Sequence, residues 1–322
     1  MQAVVADPTG GPENLKYMDI PKPEPGAGEV LVKLQAIGVN FVDVYFRNGL
    51  YPAPERPVKL GNEGAGIIQA VGTNVNRPVG QRVAYAMARG SYAEYAVVPE
   101  SALVELPAGI SFEDGAAIML QGMTAHYLTH STFPLKSGNT CLIHAAAGGV
   151  GLLLVQIAKI AGATVIGTVS TEDKAALARN HGADHIILYT KTDFAEETKR
   201  FTSNKGVDVV YDSVGATTFQ KSLDCLHPRG LMVSFGQSSG AVGSIDPLVL
   251  SQKGSLFLTR PSLAHYISDP EELRWRASDL FLWIAEGRLK VRVHRVYPLA
   301  EAATAHRDLE GRQTTGKLVL KP

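Results

Sequence analysis

A glycine-rich turn, Ala-Ala-Ala-Gly-Gly-Val-Gly, follows an apolar strand-like run that ends at His144 and leads into a helical pattern that extends to Ala161. In the pattern Gly-x-Gly-x-x-Gly, Gly148 and Gly151 take the second and third positions and Ala146 takes the first. Glycines at such a turn let the backbone approach a pyrophosphate, and the helix N-terminus offers unpaired N–H groups to the anion. A turn placed between a strand and a helix therefore predicts a dinucleotide site. The alternative is a turn that only packs the helix closely and binds nothing.

Strand-like and helical patterns alternate around this turn. Six apolar runs are typical of buried strands, at Thr140–His144, Thr164–Val169, His185–Leu188, Val207–Tyr211, Leu231–Phe235 and Ser255–Thr259. Helical patterns lie between the first five, at Gly149–Ala161, Thr171–His181, Asp193–Phe201 and Thr217–Leu226. Apolar strands that alternate with helices indicate a parallel sheet covered on both faces.

The regions on either side of this alternation have different patterns. Residues 2 to 121 contain short strand-like runs separated by Pro and Gly, which indicates a β-rich domain. After Arg260, Asp269 and Pro270 predict the start of a helix that ends at Gly287, and the last residues are strand-like again. A separate domain of about 60 residues would be marginally stable. The tail is therefore expected to return to the first domain.

Charge and cysteine content exclude several classes of protein. The chain of 322 residues carries 31 Lys and Arg against 31 Asp and Glu, so nucleic acid or an anionic membrane is not expected as a partner. Two cysteines, Cys141 and Cys225, are too few for a disulfide framework or a thiolate zinc site. The longest apolar stretch, 148–169, contains Gln156, Lys159 and several glycines, which favours a buried helix and strand over a membrane span. We expect a cytoplasmic protein.

The residues after the second strand bear on the choice between NAD and NADP. An NAD site needs a carboxylate about 20 residues past the glycines, where it binds the ribose 2′-hydroxyl. Here that position is Ser170, and Lys174 follows four residues later, which suits a 2′-phosphate instead. Glu172 and Asp173 weigh against this interpretation, and the alternative is that Lys174 is a solvated residue of a helix. The pattern favours NADPH.

Several other segments carry a resemblance to a known family. They are Met1–Val4, Gly38–Asp43, Gly61–Gly66, Gly80–Val83, the signature residues from Gly138 to Lys159, and Gly316–Val319. With these segments the chain resembles, over its whole length, the medium-chain dehydrogenase/reductase superfamily. Within it, the chain is similar to the zinc-free quinone oxidoreductases related to ζ-crystallin.

The resemblance implies an α/β fold class that combines a Rossmann doubly wound parallel sheet with a β-rich GroES-like domain. It implies a GroES-like catalytic domain at residues 1–124, a Rossmann NADPH-binding domain at 125–262, and a return segment at 263–322 that completes the catalytic domain. It also implies NADPH in a cleft and assembly as a homodimer.

The resemblance further implies the site residues, position by position. Beside the nicotinamide and the substrate, as the catalytic site, would lie Asn40, Asp43, Tyr45 and Tyr51. The cofactor-binding residues would be Thr124 at the carboxamide, Gly148, Gly149 and Val150 at the pyrophosphate, Ser170, Lys174, Tyr189 and Arg312 at the adenosine phosphate, and Ser213, Val214, Phe235, Gly236 and Arg260 along the rest of the groove. The pair Gly316-Lys317 replaces a serine-rich stretch expected near the end, which makes Arg312 the least secure assignment. Tyr45 and Tyr51 have the alternative role of packing aromatics at the domain interface.

Metal ligands are not expected in this chain. Zinc-dependent members of the superfamily have a Cys and a His where this chain has Asn40 and Asn62, and neither amide is a usual zinc ligand. No four-cysteine lobe occurs between Arg89 and Glu100. The resemblance therefore implies a zinc-independent reaction.

Two further patterns are expected to have no functional role. His126 and His130 stand four apart on a predicted helix but lack the Glu of His-Glu-x-x-His, so they are expected to be ordinary helix-surface histidines. Gly236–Gly240 matches the hydrolase pattern Gly-x-Ser-x-Gly. A loop composition follows it where a nucleophile elbow needs a helix, so the match is interpreted as chance.

Together these features predict an NADPH-dependent, zinc-independent reductase that transfers hydride to a small-molecule quinone. A reductase of an activated alkene, such as a 2-alkenal or enone, is the alternative within enzymes. A low-turnover NADPH-binding structural or RNA-associated protein is the alternative outside them. No Glu, His or Lys in the matched pocket segments is an obvious general acid, and Asn40, Tyr45 and Tyr51 are the nearest candidates. Acceptors that tolerate slow or solvent-supplied protonation are therefore expected.

Overall fold

The chain folds into two compact units. The computed structural model describes residues 1–322. The first unit comprises Met1–Met123 and Tyr266–Pro322, and the second comprises Thr124–His265. The first and last parts of the chain therefore share one unit.

The first unit is built mainly on antiparallel strands. They are β1 (Gln2–Ala6), β2 (Leu15–Asp19), β3 (Glu29–Val39), β4 (Val58–Lys59), β5 (Glu63–Val71), β6 (Arg82–Ala86), β7 (Tyr95–Pro99) and β8 (Leu103–Glu105), with β15 (Val293–Pro298) and β16 (Lys317–Lys321) from the tail. One sheet has the order β2-β1-β4, and a larger one has the order β15-β16-β3-β5-β6-β8, with β7 paired to β3. In the larger sheet Leu318 of the tail pairs antiparallel with Val39. The core of this unit buries Val32 and Leu34 of β3 together with Leu320 of β16.

Four helices accompany these strands: α1 (Phe41–Arg47), α2 (Phe112–Tyr127), α9 (Pro270–Ala285) and α10 (Ala302–Glu310). The sequence predicted α9 and its N-cap Asp269, which accepts a hydrogen bond from the backbone N–H of Glu271. It predicted only strands for the region that contains α1 and the start of α2, and there it was wrong. The seven residues of α1 are too few to display a helical period, and its start depends on a capping box between Asn40 and Asp43.

The second unit alternates strands and helices. Its strands are β9 (Thr140–Ile143), β10 (Thr164–Val169), β11 (His185–Leu188), β12 (Val207–Asp212), β13 (Leu226–Ser234) and β14 (Phe257–Thr259). Its helices are α3 (Gly149–Ile160), α4 (Glu172–Asn180), α5 (Phe194–Phe201), α6 (Phe219–Leu223), α7 (Leu248–Gln252) and α8 (Leu263–Tyr266), the last of which ends in the first unit.

The strands of the second unit form one parallel sheet in the order β11-β10-β9-β12-β13-β14. This is the doubly wound order, with the switch point between β9 and β12, and it confirms the predicted fold class. The predicted boundaries were wrong for α6, which is shorter than the expected helix, and for β13, which begins at Leu226 rather than Leu231. The register of β12 and β13 shifts between Val207 and Val209, which lets the early part of β13 pair.

None of the helices combines the length and the apolar composition needed to cross a membrane.

Candidate functional site

The glycine-rich turn of the second unit joins β9 to α3. Gly148 is the N-cap of α3, and no side chain caps this helix. The first N–H groups of a helix have no partner within it, so those of Gly149 and Val150 can donate to an anion. At Gly151 a Cβ would lie 2.1 Å from the carbonyl oxygen of Ala145, so only glycine fits there without a backbone shift. This backbone fits the pyrophosphate of a dinucleotide.

Residues predicted to bind the adenosine phosphate lie at the ends of neighbouring strands. Ser170 follows β10 and Tyr189 follows β11, and these strands are parallel neighbours. The Thr190 hydroxyl donates to the carbonyl oxygen of Ser170 at 2.9 Å, which joins the two loops. Lys174 lies in the first turn of α4, directly after the same β10 loop. Arg312 belongs to the first unit, where it is exposed with a left-handed φ of 57°.

The Glu172 carboxylate, which weighed against a 2′-phosphate, has a counter-charge in the structure. The Lys191 ammonium lies 2.8 Å from it and lowers the pKa of Glu172. Both side chains are largely exposed, so this ion pair is screened by solvent and weak.

The residues predicted to line the rest of the cofactor groove also lie together. Ser213 and Val214 follow β12, and Phe235 and Gly236 follow its parallel neighbour β13. A Cβ at Gly236 would lie 2.6 Å from the carbonyl oxygen of Ser213, so the two loops are in close contact. Arg260 donates to the carbonyl oxygen of the last residue of β13 at 2.9 Å. The structure therefore brings these five residues to one end of the sheet.

Thr124 and the two histidines noted in the sequence lie at and just beyond the C-terminal end of α2. Thr124 is 7% exposed. His126 is fully buried and its ring stacks on that of His130, with the centroids 4.2 Å apart. The expectation of helix-surface histidines was therefore wrong for His126. His130 itself lies beyond α2, on a π-helical turn that continues it at Leu128–Thr132.

The aromatic residues of the predicted substrate site belong to the first unit. Tyr45 is 9% exposed, and its ring centroid lies 5.2 Å from that of Tyr51. The backbone N–H of Tyr51 donates to the carbonyl oxygen of Tyr45 at 2.9 Å, and Phe46 packs on Tyr51 with its centroid at 5.7 Å. The two tyrosines form one aromatic cluster, and their contact with substrate stays a prediction.

Asn40 lies in a buried polar group that we call the Asn40 cluster: Asn40, Glu63, Gln121 and Lys317. The Asn40 amide N–H donates to Glu63 Oε1 at 2.6 Å, and its carbonyl oxygen accepts from Lys317 Nζ at 2.7 Å and from Gln121 at 3.3 Å. Lys317 and Glu63 form a direct ion pair, and both are almost completely buried. These contacts fix the orientation of the Asn40 amide.

Glu63 and Lys317 are the residues that sequence reasoning missed. The sequence was interpreted as having no obvious Glu, His or Lys general acid in the matched pocket segments, and this ion pair, which lies against Asn40, was not noticed. Burial lowers the pKa of the Lys317 ammonium, and the Glu63 carboxylate raises it, with burial the larger effect. Both residues lie in segments that carried the family resemblance, Gly61–Gly66 and Gly316–Val319, and that was the available signal.

Asp43 ends a second buried set, the Asp43 chain: Asp43, Tyr92, His306 and Arg47. Arg47 lies 3.1 Å from His306 Nδ1, and a guanidinium only donates, so Nδ1 accepts and the proton lies on Nε2. His306 Nε2–H then donates to the Tyr92 hydroxyl at 2.9 Å, which donates to Asp43 Oδ2 at 3.3 Å. Burial lowers the pKa of His306 to about 3, which fits this neutral tautomer.

The Asp43 carboxylate is fully buried and is bonded to protein groups. Its Oδ2 accepts from the backbone N–H of Asn40 at 2.9 Å, and its Oδ1 accepts from Asn62 at 2.6 Å. Burial raises the pKa of Asp43 to about 6, although these hydrogen bonds and the Lys317 charge act in the opposite direction. Asp43 anchors the start of α1, and its direct contact with a ligand stays a prediction.

The two positions where zinc-dependent relatives have ligands are used here as hydrogen-bond donors. The Asn40 amide donates to Glu63, and the Asn62 amide donates to Asp43. No group of three or more His, Cys, Asp or Glu side chains has the geometry to hold a metal ion.

The Gly236–Gly240 motif lies in a loop, as its composition predicted. The residues after Gly240 form no helix until Leu248. A nucleophile elbow requires the helix to follow directly.

Comparison with known proteins agrees with this architecture. Residues 26–108 match the family model described as alcohol dehydrogenase GroES-like domain, and residues 149–272 match the one described as zinc-binding dehydrogenase. A quinone oxidoreductase of Pseudomonas aeruginosa is 51% identical over 315 residues, 97% of either chain. A 2-haloacrylate reductase of Burkholderia sp is 44% identical over 331 residues, 100% of this chain and 99% of that one.

A solved structure covers the same length. The quinone oxidoreductase of Escherichia coli, solved as a complex with NADPH, is 46% identical and superposes with a TM-score of 0.98 over 100% of both chains. Full-length relatives at this level of identity establish the family. The chain belongs to the quinone oxidoreductases of the medium-chain dehydrogenase/reductase superfamily.

Proposed function

We propose that this chain is an NADPH:quinone oxidoreductase that acts without a metal. The GroES-like catalytic domain would comprise residues 1–124 and 263–322, and the Rossmann domain residues 125–262. The observation that carries the proposal is the glycine-rich turn between β9 and α3, which no side chain caps and which lies at the switch point of the doubly wound sheet. Its support is the similarity to a quinone oxidoreductase structure that holds NADPH.

The cofactor would lie along the carboxyl ends of the second unit's strands. Gly149 and Val150 would hold the pyrophosphate through the unpaired N–H groups of the first turn of α3. Gly148, whose own N–H donates to the carbonyl oxygen of Ala145, would complete this site by letting the backbone approach the anion. Ser170, Lys174 and Tyr189 would hold the 2′-phosphate, with Arg312 from the tail. Ser213, Val214, Phe235, Gly236 and Arg260 would line the rest of the groove, and Thr124 would contact the carboxamide.

The residues of the first unit would shape and orient the acceptor. Bound NADPH would supply a hydride from C4 of its nicotinamide. Tyr45 and Tyr51 would form an aromatic wall for a flat ring, because their rings already pack together. Asn40, held by the Asn40 cluster, would present its one remaining amide hydrogen in a fixed direction.

A quinone suits this set of residues better than a ketone does. Reduction of a quinone leaves a charge that is delocalised over the ring, so it needs little stabilisation at one oxygen. A ketone would leave a localised alkoxide, for which enzymes of this class use a metal ion. The proposal therefore predicts turnover with small quinones and no oxidation of primary alcohols.

One experiment tests the proposed acceptor directly. Purified protein is assayed with NADPH against a para-quinone, a 2-alkenal and, in the reverse direction with NADP, a primary alcohol. The highest kcat/KM is expected with the quinone, and a strong chelator should leave that rate unchanged. Zinc at one equivalent per chain, or a rate that depends on it, would contradict the metal-free mechanism.

An activated alkene is the second candidate substrate. The observation that favours it is the similarity over the full length to a protein described as 2-haloacrylate reductase. Conjugate addition of hydride to such an alkene also places charge on a delocalised system. A clear preference for the alkenal or a 2-haloacrylate in the same assay would move the assignment to this class. If stopped-flow measurements show that neither acceptor oxidises bound NADPH, the result would favour a low-turnover binding protein.

We further propose that the chain is a homodimer. Strand β14 ends the six-stranded sheet and pairs only with β13, so its outer edge is unpaired. Phe257 on this strand is 62% exposed and Leu248 of α7 is 56% exposed. An unpaired strand edge of this kind can form hydrogen bonds with the same edge of a second copy of the chain. Sedimentation analysis is expected to give a dimer that Phe257→Lys converts to monomer.

A cytoplasmic location is also proposed. Cys141 and Cys225 are both free and buried, and the burial raises the pKa of each thiol to about 12. A chain without disulfides is suited to a reducing compartment. Fractionation of the producing cells is the test.

A further inference from the structure

A buried chain of four polar side chains lies beneath the glycine-rich turn of the second unit. It consists of His144, Thr168, Ser222 and Asp212, each no more than 2% exposed. His144 Nδ1 lies 2.9 Å from the Thr168 hydroxyl, and Nε2 lies 3.0 Å from the Ser222 hydroxyl. Ser222 in turn lies 3.2 Å from Asp212 Oδ2. None of the four was predicted to contact the cofactor, so we call them the His144 chain.

The direction of each hydrogen bond in the His144 chain follows from which of its groups can donate and which can only accept. The Ser222 hydroxyl faces two oxygens that only accept, Asp212 Oδ2 and the carbonyl oxygen of Thr218 at 2.9 Å. Its hydrogen is used there, so it accepts from His144 Nε2–H. Burial lowers the pKa of His144, although the Asp212 charge raises it, so the ring is neutral and carries one hydrogen. That hydrogen lies on Nε2, so Nδ1 accepts from the Thr168 hydroxyl.

One end of the chain reaches the loop after β12. Asp212 Oδ1 accepts the backbone N–H groups of Val214 at 2.7 Å and of Gly215 at 3.0 Å. These bonds set the course of the loop that carries Ser213 and Val214, both assigned to the cofactor groove. The imidazole therefore acts on this loop through Ser222 and Asp212.

The other end reaches the loops after β9 and β10. The carbonyl oxygen of Thr168 accepts the backbone N–H of Ala146, in the glycine-rich turn, at 3.1 Å. Thr168 is also the second-last residue of strand β10, which ends just before Ser170. His144 itself directly precedes Ala145, which has a left-handed φ of 51°. One ring thus connects the loop assigned to the pyrophosphate, the loop assigned to the 2′-phosphate, and the loop that carries Ser213 and Val214 of the cofactor groove.

We propose that His144 is a positioning residue for the nicotinamide cofactor, which it holds in place indirectly by fixing these three loops relative to one another. The donated bond from Nε2 to Ser222 matters most, because it alone leads to Asp212 and the loop after β12. The inference rests on the proposed binding of NADPH and adds the residue that organises the site. His144 touches no ligand in this account and is not a catalytic residue.

Two amide variants separate the two ends of the imidazole. The side-chain nitrogen of His144→Gln reaches as far as Nε2 and can still donate to Ser222. The amide of His144→Asn reaches only as far as Nδ1, so it keeps a partner for Thr168 and loses the bond to Ser222. We expect the Asn variant to bind NADPH and NADH about tenfold more weakly, as for one or two lost buried hydrogen bonds. The Gln variant loses the bond to Thr168 but keeps the path through Ser222 to Asp212, so it should stay within about threefold of the unmutated protein.

The readout is the dissociation constant of each cofactor, measured by fluorescence titration on the full chain. The ratio of NADPH to NADH affinity should stay unchanged in the Asn variant, because it keeps its partner on Thr168 and no contact to the 2′-phosphate is removed. Ser222→Ala breaks the same chain while the histidine itself stays unchanged. It should weaken the binding of both cofactors in the same way as His144→Asn. His185→Asn is the matched control, since this histidine lies in the same sheet and stacks on Phe201 away from the chain. It should leave both constants unchanged.

The outcomes distinguish this inference from the proposed function. Equal losses in the Gln and Asn variants, no loss in either, or no loss in Ser222→Ala would overturn the positioning role while cofactor binding by the unmutated protein stands. Failure of the unmutated protein to bind either nicotinamide cofactor would overturn both proposals. Nitrogen NMR of the labelled imidazole gives an independent check, and a proton on Nδ1 instead of Nε2 would contradict the directions of the bonds.

Discussion

The first unit orders its buried polar residues with full charges, whereas the second unit orders them with backbone groups and a neutral ring. In the first unit Asp43, Glu63, Arg47 and Lys317 are all at least 98% buried. In the second unit Asp212 is the buried charged residue, and it is satisfied by backbone N–H groups and hydroxyls. A buried charged side chain is destabilising when its charged partner is removed. A carboxylate that is bonded by backbone N–H groups keeps those bonds as long as the turn keeps its conformation. The two units should therefore respond differently to substitution.

Removal of a charge from the Asn40 cluster should produce the largest effect. Lys317→Met leaves the Glu63 carboxylate buried without its counter-charge, which should lower the free energy of unfolding by about 3–5 kcal/mol. Urea denaturation measures it. Lys321→Met is the control, since this lysine lies on the same strand and its ion pair with Glu113 is exposed. Similar stability of the two variants would show that the buried charges of the first unit are not what holds it together.

In the second unit a charge substitution should act on binding instead of stability. Lys174→Ala should make the binding free energy of NADPH less favourable by about 1.5–3 kcal/mol, the range for a hydrogen bond to a charged group. NADH should be little affected, and the difference should decrease with added salt. Titration of both cofactors measures this, with the exposed Lys205→Ala as control. Equal affinity of the unmutated protein for NADH and NADPH would contradict the role of Ser170 and Lys174.

The pH dependence of stability should carry opposite signs in the two units. Burial raises the pKa of Asp43 from 3.8 to about 6, so between these values the folded chain binds its proton more tightly than the unfolded chain does. The contribution of Asp43 is therefore present below pH 3.8 and is lost as the pH rises to about 6, by up to about 1.4 kcal/mol per pH unit.

Unfolding free energies measured across that window test the sign. The curve of Asp43→Asn should fall less steeply with rising pH than that of the unmutated protein. In the second unit the Lys221 ammonium lowers the pKa of Asp193, so its contribution is present above pH 3.8 and is lost as the pH falls below that value. Asp193→Asn should therefore change the slope in the opposite direction, below pH 3.8, and weakly because the pair is exposed. A steeper fall for Asp43→Asn would mean that Asp43 is stabilised as an anion.

The smallest effect is expected at the aromatic cluster of the first unit. Tyr45→Phe keeps the ring against Tyr51. Its loss in kcat should correspond to no more than about 1 kcal/mol of transition-state stabilisation. Tyr45→Ala removes the ring and should raise KM for a quinone more than it lowers kcat. Steady-state kinetics separates the two. A large kcat loss in the Phe variant would indicate that the hydroxyl donates the proton.

The difference between the units also explains which features could be predicted from the sequence. The strand, turn and helix around Gly148 are contiguous, so a local pattern was enough to predict the doubly wound sheet and the glycine-rich turn. The Asn40 cluster was missed because Lys317 is separated from Asn40 by 277 positions, and no periodicity connects them. The helix α1 was missed because its capping box spans four residues within a region of strands. The His144 chain depends on tertiary contacts between three strand ends, which a single sequence does not display.

The pairing of β16 with β3 has a consequence for synthesis of the chain. All residues of the second unit leave the ribosome before β16 does, so this unit can fold while the first is still incomplete. Glu63 is made early and receives its counter-charge from Lys317 only when translation has almost finished. A nascent chain that stops short of Lys317 would thus contain a folded cofactor-binding unit beside a first unit whose buried carboxylate has no partner. Such a chain would be a ready substrate for cellular proteases.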